Sequence, residues 1–168
     1  MYGNEEAIGA AIAGAGVPRT NLHVTTKVWH ENLAPAAIRK AFDASLKKLR
    51  LDYVDLYLIH WPSRGMKLPA ALETLLKLKE EGRTRAIGVA NFTTALLKQA
   101  VEEVKAPIAC NQIEYHVMLD QAKVKKYLAA HKIPLVAYCP LAQGRVASED
   151  ILIKIGRAST MQAPPRWR

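Results

Sequence analysis

Two ionisable side chains stand at the ends of apolar runs. Lys27 sits in Val24-Thr25-Thr26-Lys27-Val28-Trp29, and His60 closes Leu56-Tyr57-Leu58-Ile59 just before Trp61-Pro62. Burying an ammonium is unfavourable unless something pairs with it. Taken singly, Lys27 reads as a lysine snorkelling at a strand end and His60 as a core histidine with a satisfied ring. Asn91, Gln112 and Tyr138 continue the series, at spacings of 33, 31, 21 and 26 residues, each at or near the C-terminal end of an apolar run. An amine, an imidazole, two carboxamides and a phenol in such phase suggest one pocket of titratable and hydrogen-bonding groups.

The elements that must position them alternate. Short, β-branched apolar runs at Leu22 to Trp29, Tyr53 to His60, Arg85 to Ala90, Ile108 to Ile113 and Pro134 to Tyr138 are too short for typical helices and read as strands. Between them lie segments of helical period. From Pro35 to Leu49, Ile38, Phe42, Leu46 and Leu49 form one stripe opposite Arg39, Asp43 and Lys47. Pro69 precedes Leu72, Leu75 and Leu76, with Gly82 as the stop. Thr93 is placed to cap a helix carrying Leu96, Leu97, Ala100, Val101 and Val104, and Asp120 to cap one carrying Val124 and Leu128.

Apolar strands alternating with amphipathic helices imply a parallel sheet covered by helices, because parallel neighbours need a crossover. A doubly wound nucleotide fold would want Gly-x-Gly-x-x-Gly directly after a strand. Gly14-Ala15-Gly16 follows a helical segment, lacks the third glycine and reads as a helix stop. Polar residues at the C-terminal strand ends point instead to a (β/α)8 barrel, which gathers its active site there. Five of the eight strands are accounted for, so the expected fold is α/β, an incomplete barrel.

Composition narrows the function. The 168 residues are 50% hydrophobic and 23% charged, with 24 Lys and Arg against 15 Asp and Glu, a net charge of +9. That suits a globular domain, and no apolar run reaches the roughly 18 residues a membrane span requires. The N-terminus has two acids and no basic cluster, unlike a secretory signal, so a cytoplasmic location is expected. Lys47, Lys48 and Arg50 end one helix and Lys123, Lys125 and Lys126 occupy another, with no interleaved aromatics, so nucleic acid is not the expected partner. Cys110 and Cys139 lack metal-ligand spacing; both are read as buried free thiols, and no metal is expected.

The chain also resembles a known family, the aldo-keto reductases. The matching pieces are Tyr2-Gly3-Asn4-Glu5 with Ile8-Gly9, Thr25-Thr26-Lys27-Val28-Trp29, Asp55-Leu56-Tyr57-Leu58-Ile59-His60-Trp61-Pro62, Ile87-Gly88-Val89-Ala90-Asn91-Phe92, Asn111-Gln112-Ile113-Glu114 and Tyr138-Cys139-Pro140-Leu141. Six motifs in the family's order cover residues 1 to about 157, and the likeness is strongest to bacterial 2,5-diketo-D-gluconate reductases. The resemblance implies NADPH-dependent reduction of a small aldehyde or ketone. Tyr2 would give the proton, Lys27 would stabilise the phenolate and His60 would orient the carbonyl. Asn91 and Gln112 would hold the nicotinamide carboxamide, with Tyr138 stacked on its ring and Leu141 also at the cofactor. Trp29 and Trp61 match positions that wall the substrate pocket, though either could be a core or rim aromatic.

Departures from the family pattern accompany the match. A whole barrel takes about 250 residues. By the family pattern its first two strands, and the aspartate that pairs with the lysine, lie upstream of Tyr2. The eighth strand and the segment that binds the 2′-phosphate of NADPH lie beyond residue 157. Ala90 stands where many members carry serine, one carboxamide hydrogen bond fewer. Residues 158–168 form an atypical tail with Pro164-Pro165. With suitable codons, a shift of two bases turns part of it into a family-like helix sequence, so a frameshift is the expectation there. The expectation for the chain as written is no NADPH oxidation above background, and the alternative function is a catalytically inactive remnant or interaction protein. Strands beginning near Leu22 and Pro134 would be free edges, through which the chain would self-associate.

Overall fold

The computed structural model describes residues 2–158; the frameshift expected in the tail falls almost wholly on residues outside that range. Five strands and six helices alternate along the chain: α1 (Glu5–Gly14), β1 (Thr25–Val28), α2 (Pro35–Leu49), β2 (Val54–Ile59), α3 (Leu68–Glu80), β3 (Thr84–Ala90), α4 (Thr94–Lys98), β4 (Ile108–Glu114), α5 (Ala122–Ala130), β5 (Leu135–Tyr138) and α6 (Asp150–Ala158). The strands form one sheet in sequential order, every neighbouring pair parallel. Among the described residues no helix is long and apolar enough to cross a membrane.

Helix α2 shows why the pattern folds. Pro35 takes an early helical position, where a missing N–H is harmless. Its buried face is Ile38, Phe42, Leu46 and Leu49, packed with Tyr57 and Ile59 of β2 and with Ile87 and Val89 of β3 in the main core. The helix ends at Arg50, whose φ of 56° closes it with bonds to the Leu46 and Lys47 carbonyls. Gly82 ends α3 in the same way, at φ 73°.

Helices cover one face of the sheet, and the alternation of strand residues puts Leu58, Gly88 and Lys27 on the other. A β-carbon at Gly88 would lie 2.7 Å from Leu58 Cδ2, so glycine lets that leucine lie across the neighbouring strand. The registers are staggered so that the strands' C-terminal residues come level: Val28 opposite Ile59, Ile59 opposite Val89, Ala90 opposite Gln112, and Glu114 opposite Tyr138. A shift between β3 and β4 interrupts the ladder near Ile87 and Val89.

The opposite end of β1 and β2 is pinned by Asp55. Its carboxylate accepts the Val24 N–H at 2.9 Å and pairs with Arg19 at 2.8 Å and Arg85 at 3.2 Å. Burial pushes this carboxyl up, but the Val24 N–H and the two guanidiniums outweigh it and hold the group below the usual carboxylate range.

Four details depart from the sequence reading. Strand β1 covers only Thr25–Val28, with a short 3-10 helix at Arg19–Asn21 before it and another at His30–Asn32 after Trp29. The helix expected through Val104 is α-helical only to Lys98 and widens to a π-helical turn at Gln99–Glu103, closed by Val104 N–H to the Gln99 carbonyl. Thr93 caps α4 through Leu96 N–H, whereas Asp120 stands one residue outside the cap of α5 and accepts from Ala122 N–H at 2.8 Å. Cys110 is a buried thiol, but Cys139 is only partly buried, at φ 48° just past β5.

Candidate active site

The reactive groups meet above the end of β1 and β2. His60 directly follows β2 and is buried, and Lys27 reaches from the inner face of β1. The chain before α1 passes over this strand end and brings Tyr2 to both. The Tyr2 hydroxyl is hydrogen-bonded to His60 Nε2 at 3.3 Å, and Lys27 Nζ lies 5.5 Å from the centre of the Tyr2 ring. All three line a cleft of about 300 Å³ with Glu5, Thr26 and Lys48.

Two contacts that sequence reasoning missed hold this arrangement. Thr26 donates to Glu5 at 2.8 Å, tying the first turn of α1 to β1 and fixing where the Tyr2 segment leaves the helix. Gly9 lets α1 lie against the end of α2; a β-carbon there would stand 2.5 Å from the Lys48 carbonyl oxygen. The Glu5–Thr26 bond joins residues 21 apart in sequence and leaves no periodic signal, whereas Gly9 was visible only as part of a motif.

The surroundings of His60 favour its neutral form. Burial, then the charge of Lys27 and the nearby His30, push its pKa below the ordinary imidazole value. Burial also pulls the Lys27 ammonium down. A neutral imidazole beside a phenol can share the phenol's proton, and a partly buried cation beside the same ring favours the phenolate that proton loss would leave.

The nicotinamide-facing candidates sit next to this group. Asn91, at φ 62° just after β3, donates from Nδ2 to the His60 carbonyl at 2.9 Å and accepts from the Tyr138 hydroxyl at Oδ1, also 2.9 Å. Asn91 and Tyr138 line a second cleft, of about 750 Å³, with Trp61, Phe92 and Glu114. Trp29 packs edge-on against His60 at 5.2 Å and faces, with Trp61, a shallower hollow of about 380 Å³. Gln112 is partly buried in β4 opposite Ala90 and Val136 and lines neither the cleft at Tyr2 nor the one at Tyr138. Leu141 is exposed beyond β5, away from both. Tyr2, Lys27 and His60 are thus brought together, Asn91, Tyr138 and Trp61 adjoin them, and Gln112 and Leu141 stand apart.

Known proteins give this geometry its family. The chain matches the Aldo/keto reductase family over residues 1–160, and it belongs to that family. It is 44% identical to methylglyoxal reductase DkgB of Salmonella typhi, a match covering 99% of this chain and 65% of that protein. An aldo/keto reductase structure from Brucella melitensis superposes with a TM-score of 0.86 at 42% identity, over 94% of this chain and 60% of the other. An aldo-keto reductase complexed with NADPH superposes at 0.74 and 33% identity, over 80% of this chain and 45% of that one. The chain therefore spans about 60% of the length of its relatives, and its sheet is five strands of their (β/α)8 barrel.

Proposed function

We propose that this chain carries the reacting centre of a carbonyl reductase that uses NADPH, with Tyr2 as proton donor. The observation that carries the reading is the contact of the Tyr2 hydroxyl with His60 Nε2, beside the Lys27 ammonium. The site's donors suit a nicotinamide. Asn91 uses one of its two N–H bonds and one of its two oxygen lone pairs within the protein, leaving one of each for a carboxamide. Gln112 presents a second amide on the inner face of β4, and Tyr138 an aromatic ring beside Asn91. Bound against these residues, the reduced nicotinamide would supply the hydride.

The remaining work falls to the protein. Tyr2 and His60 hydrogen-bond the carbonyl oxygen of an aldehyde and hold it in one orientation. As negative charge grows on that oxygen, Tyr2 donates its proton, and Lys27 stabilises the phenolate left behind. Trp29 and Trp61 wall the approach and favour a small substrate. Two-carbon and three-carbon oxoaldehydes fit that description, in keeping with the methylglyoxal reductase named among the relatives. We place the activity in the cytoplasm, where NADPH is at hand.

The test sets residues 1–157 into the frame of the Salmonella typhi reductase in place of the segment they match, and follows oxidation of NADPH with methylglyoxal. Aldehyde-dependent oxidation supports the reading, and a folded chimera without it contradicts it.

A further inference from the structure

Helix α1 is held to the rest of the chain at two points. Gly9 is its one buried residue and lies against the end of α2. One turn earlier on the same side, Glu5 accepts the Thr26 hydroxyl at 2.8 Å, and among the described residues this is the one side-chain hydrogen bond from α1 to the sheet. A helix touching at a single point can pivot about it, whereas a second contact about 6 Å along the axis fixes its direction. That direction decides where Tyr2 lies. Only Gly3, at φ 68°, and Asn4 separate the tyrosine from α1. Tyr2 is itself 66% exposed, so little packing holds its ring where it meets His60.

The same bond involves the strand that carries Lys27. Thr26 precedes the lysine in β1, and alternation turns the threonine towards the helices while Lys27 points to the inner face. Thr26 stands opposite Tyr57 of β2, whose fully buried ring packs on Phe42 at 4.4 Å, so the core anchors this part of the strand. We propose that Thr26, acting through Glu5, is a positioning residue for the proton transfer: its hydroxyl sets where Tyr2 lies over His60 and Lys27 without touching substrate. The inference rests on Tyr2 being the proton donor. Its acceptor is a carboxylate, and a hydroxyl bonded to a charged acceptor is held more strongly than one bonded to a neutral group. Such a link suits a segment that packing alone holds weakly.

Two measurements separate placement from reaction. In the 168-residue chain, nuclear Overhauser contacts between the Tyr2 and His60 rings report the placement, and those between Trp29 and His60 serve as control, since neither of these two belongs to α1. Thr26→Val keeps the shape and removes the hydroxyl; it should abolish the Tyr2–His60 contact and keep the Trp29–His60 one. Thr26→Ser should retain both. Glu5→Ala removes the other partner and should reproduce the loss, which decides the matter should the valine variant fail to fold. In the chimera with the Salmonella typhi reductase, Thr26→Val should lower kcat for methylglyoxal by about 10–100-fold with the KM for NADPH unchanged, and Thr26→Ser should restore turnover to within a few-fold. A Tyr2–His60 contact that survives Thr26→Val or Glu5→Ala, or a kcat indifferent to Thr26→Val, would overturn the proposal. A chimera inactive before any substitution would instead contradict Tyr2 as donor, while the ring contacts still decide whether Thr26 places it.

Discussion

The Tyr2 hydroxyl lies 3.3 Å from Nε2 of His60, across 58 residues of sequence. Nε2 can accept the phenol's hydrogen bond only in the neutral imidazole, and the surroundings of His60 favour that form. Burial, Lys27 and His30 hold its pKa below 6.5. The sign for stability follows from linkage: above 6.5 the ring is neutral in both folded and unfolded chains. As pH falls below 6.5 the unfolded chain takes up the proton first, so the fold loses stability down to the lowered native pKa. His60→Gln should flatten this loss below pH 6.5. Urea midpoints of the two proteins across that range check it; parallel slopes would contradict the assignment.

Gly9 positions the segment that carries Tyr2. A β-carbon there would meet backbone, 2.5 Å from the Lys48 oxygen and 2.7 Å from the Leu49 carbonyl, and backbone cannot swing aside as a side chain can. Gly9→Ala should therefore destabilise the chain by about 1–3 kcal/mol, the range for overpacking, despite alanine's better helix propensity. Denaturant unfolding measures this. A neutral or stabilising effect would show that α1 is not held against α2 as described.

Helices and strands were legible in the sequence where the apolar period was unbroken. Pro35 and Leu49 bound α2 in both readings, because a first-turn proline, a four-residue stripe and a basic end all agree. The π-helical turn at Gln99–Glu103 was not legible, since Ala100, Val101 and Val104 keep an apolar face under either winding. Lys27 and His60 stood out as candidates because a titratable group in or just after an apolar strand is conspicuous. The Glu5–Thr26 tether and the Arg19–Asp55–Arg85 cluster could not, because they join elements distant in sequence through ordinary surface residue types. Strand phase brought Gln112 to the right end of the sheet, yet phase says nothing about which cleft a side chain borders.

The sheet has two outer strands, and both bear on association. The first, β1, presents Thr25 to solvent, and the other, β5, presents Val136 and Ala137. An uncovered edge offers backbone donors and acceptors to another chain. The 168-residue chain is expected to associate as its concentration rises, and Ala137→Lys to shift it towards monomer, measured by light scattering after size separation. A wild-type monomer at every concentration would contradict this.

The central claim is that Tyr2 gives the proton in carbonyl reduction, and steady-state kinetics of Tyr2→Phe test it most directly. In the chimera with the Salmonella typhi reductase, the substitution removes one hydroxyl and keeps the ring against Lys27 and His60. The account predicts a fall in kcat for methylglyoxal of about 10²–10⁴-fold, the contribution typical of a positioned general acid, with NADPH binding little changed. Turnover within a few-fold of the parent chimera would show that the proton comes from elsewhere.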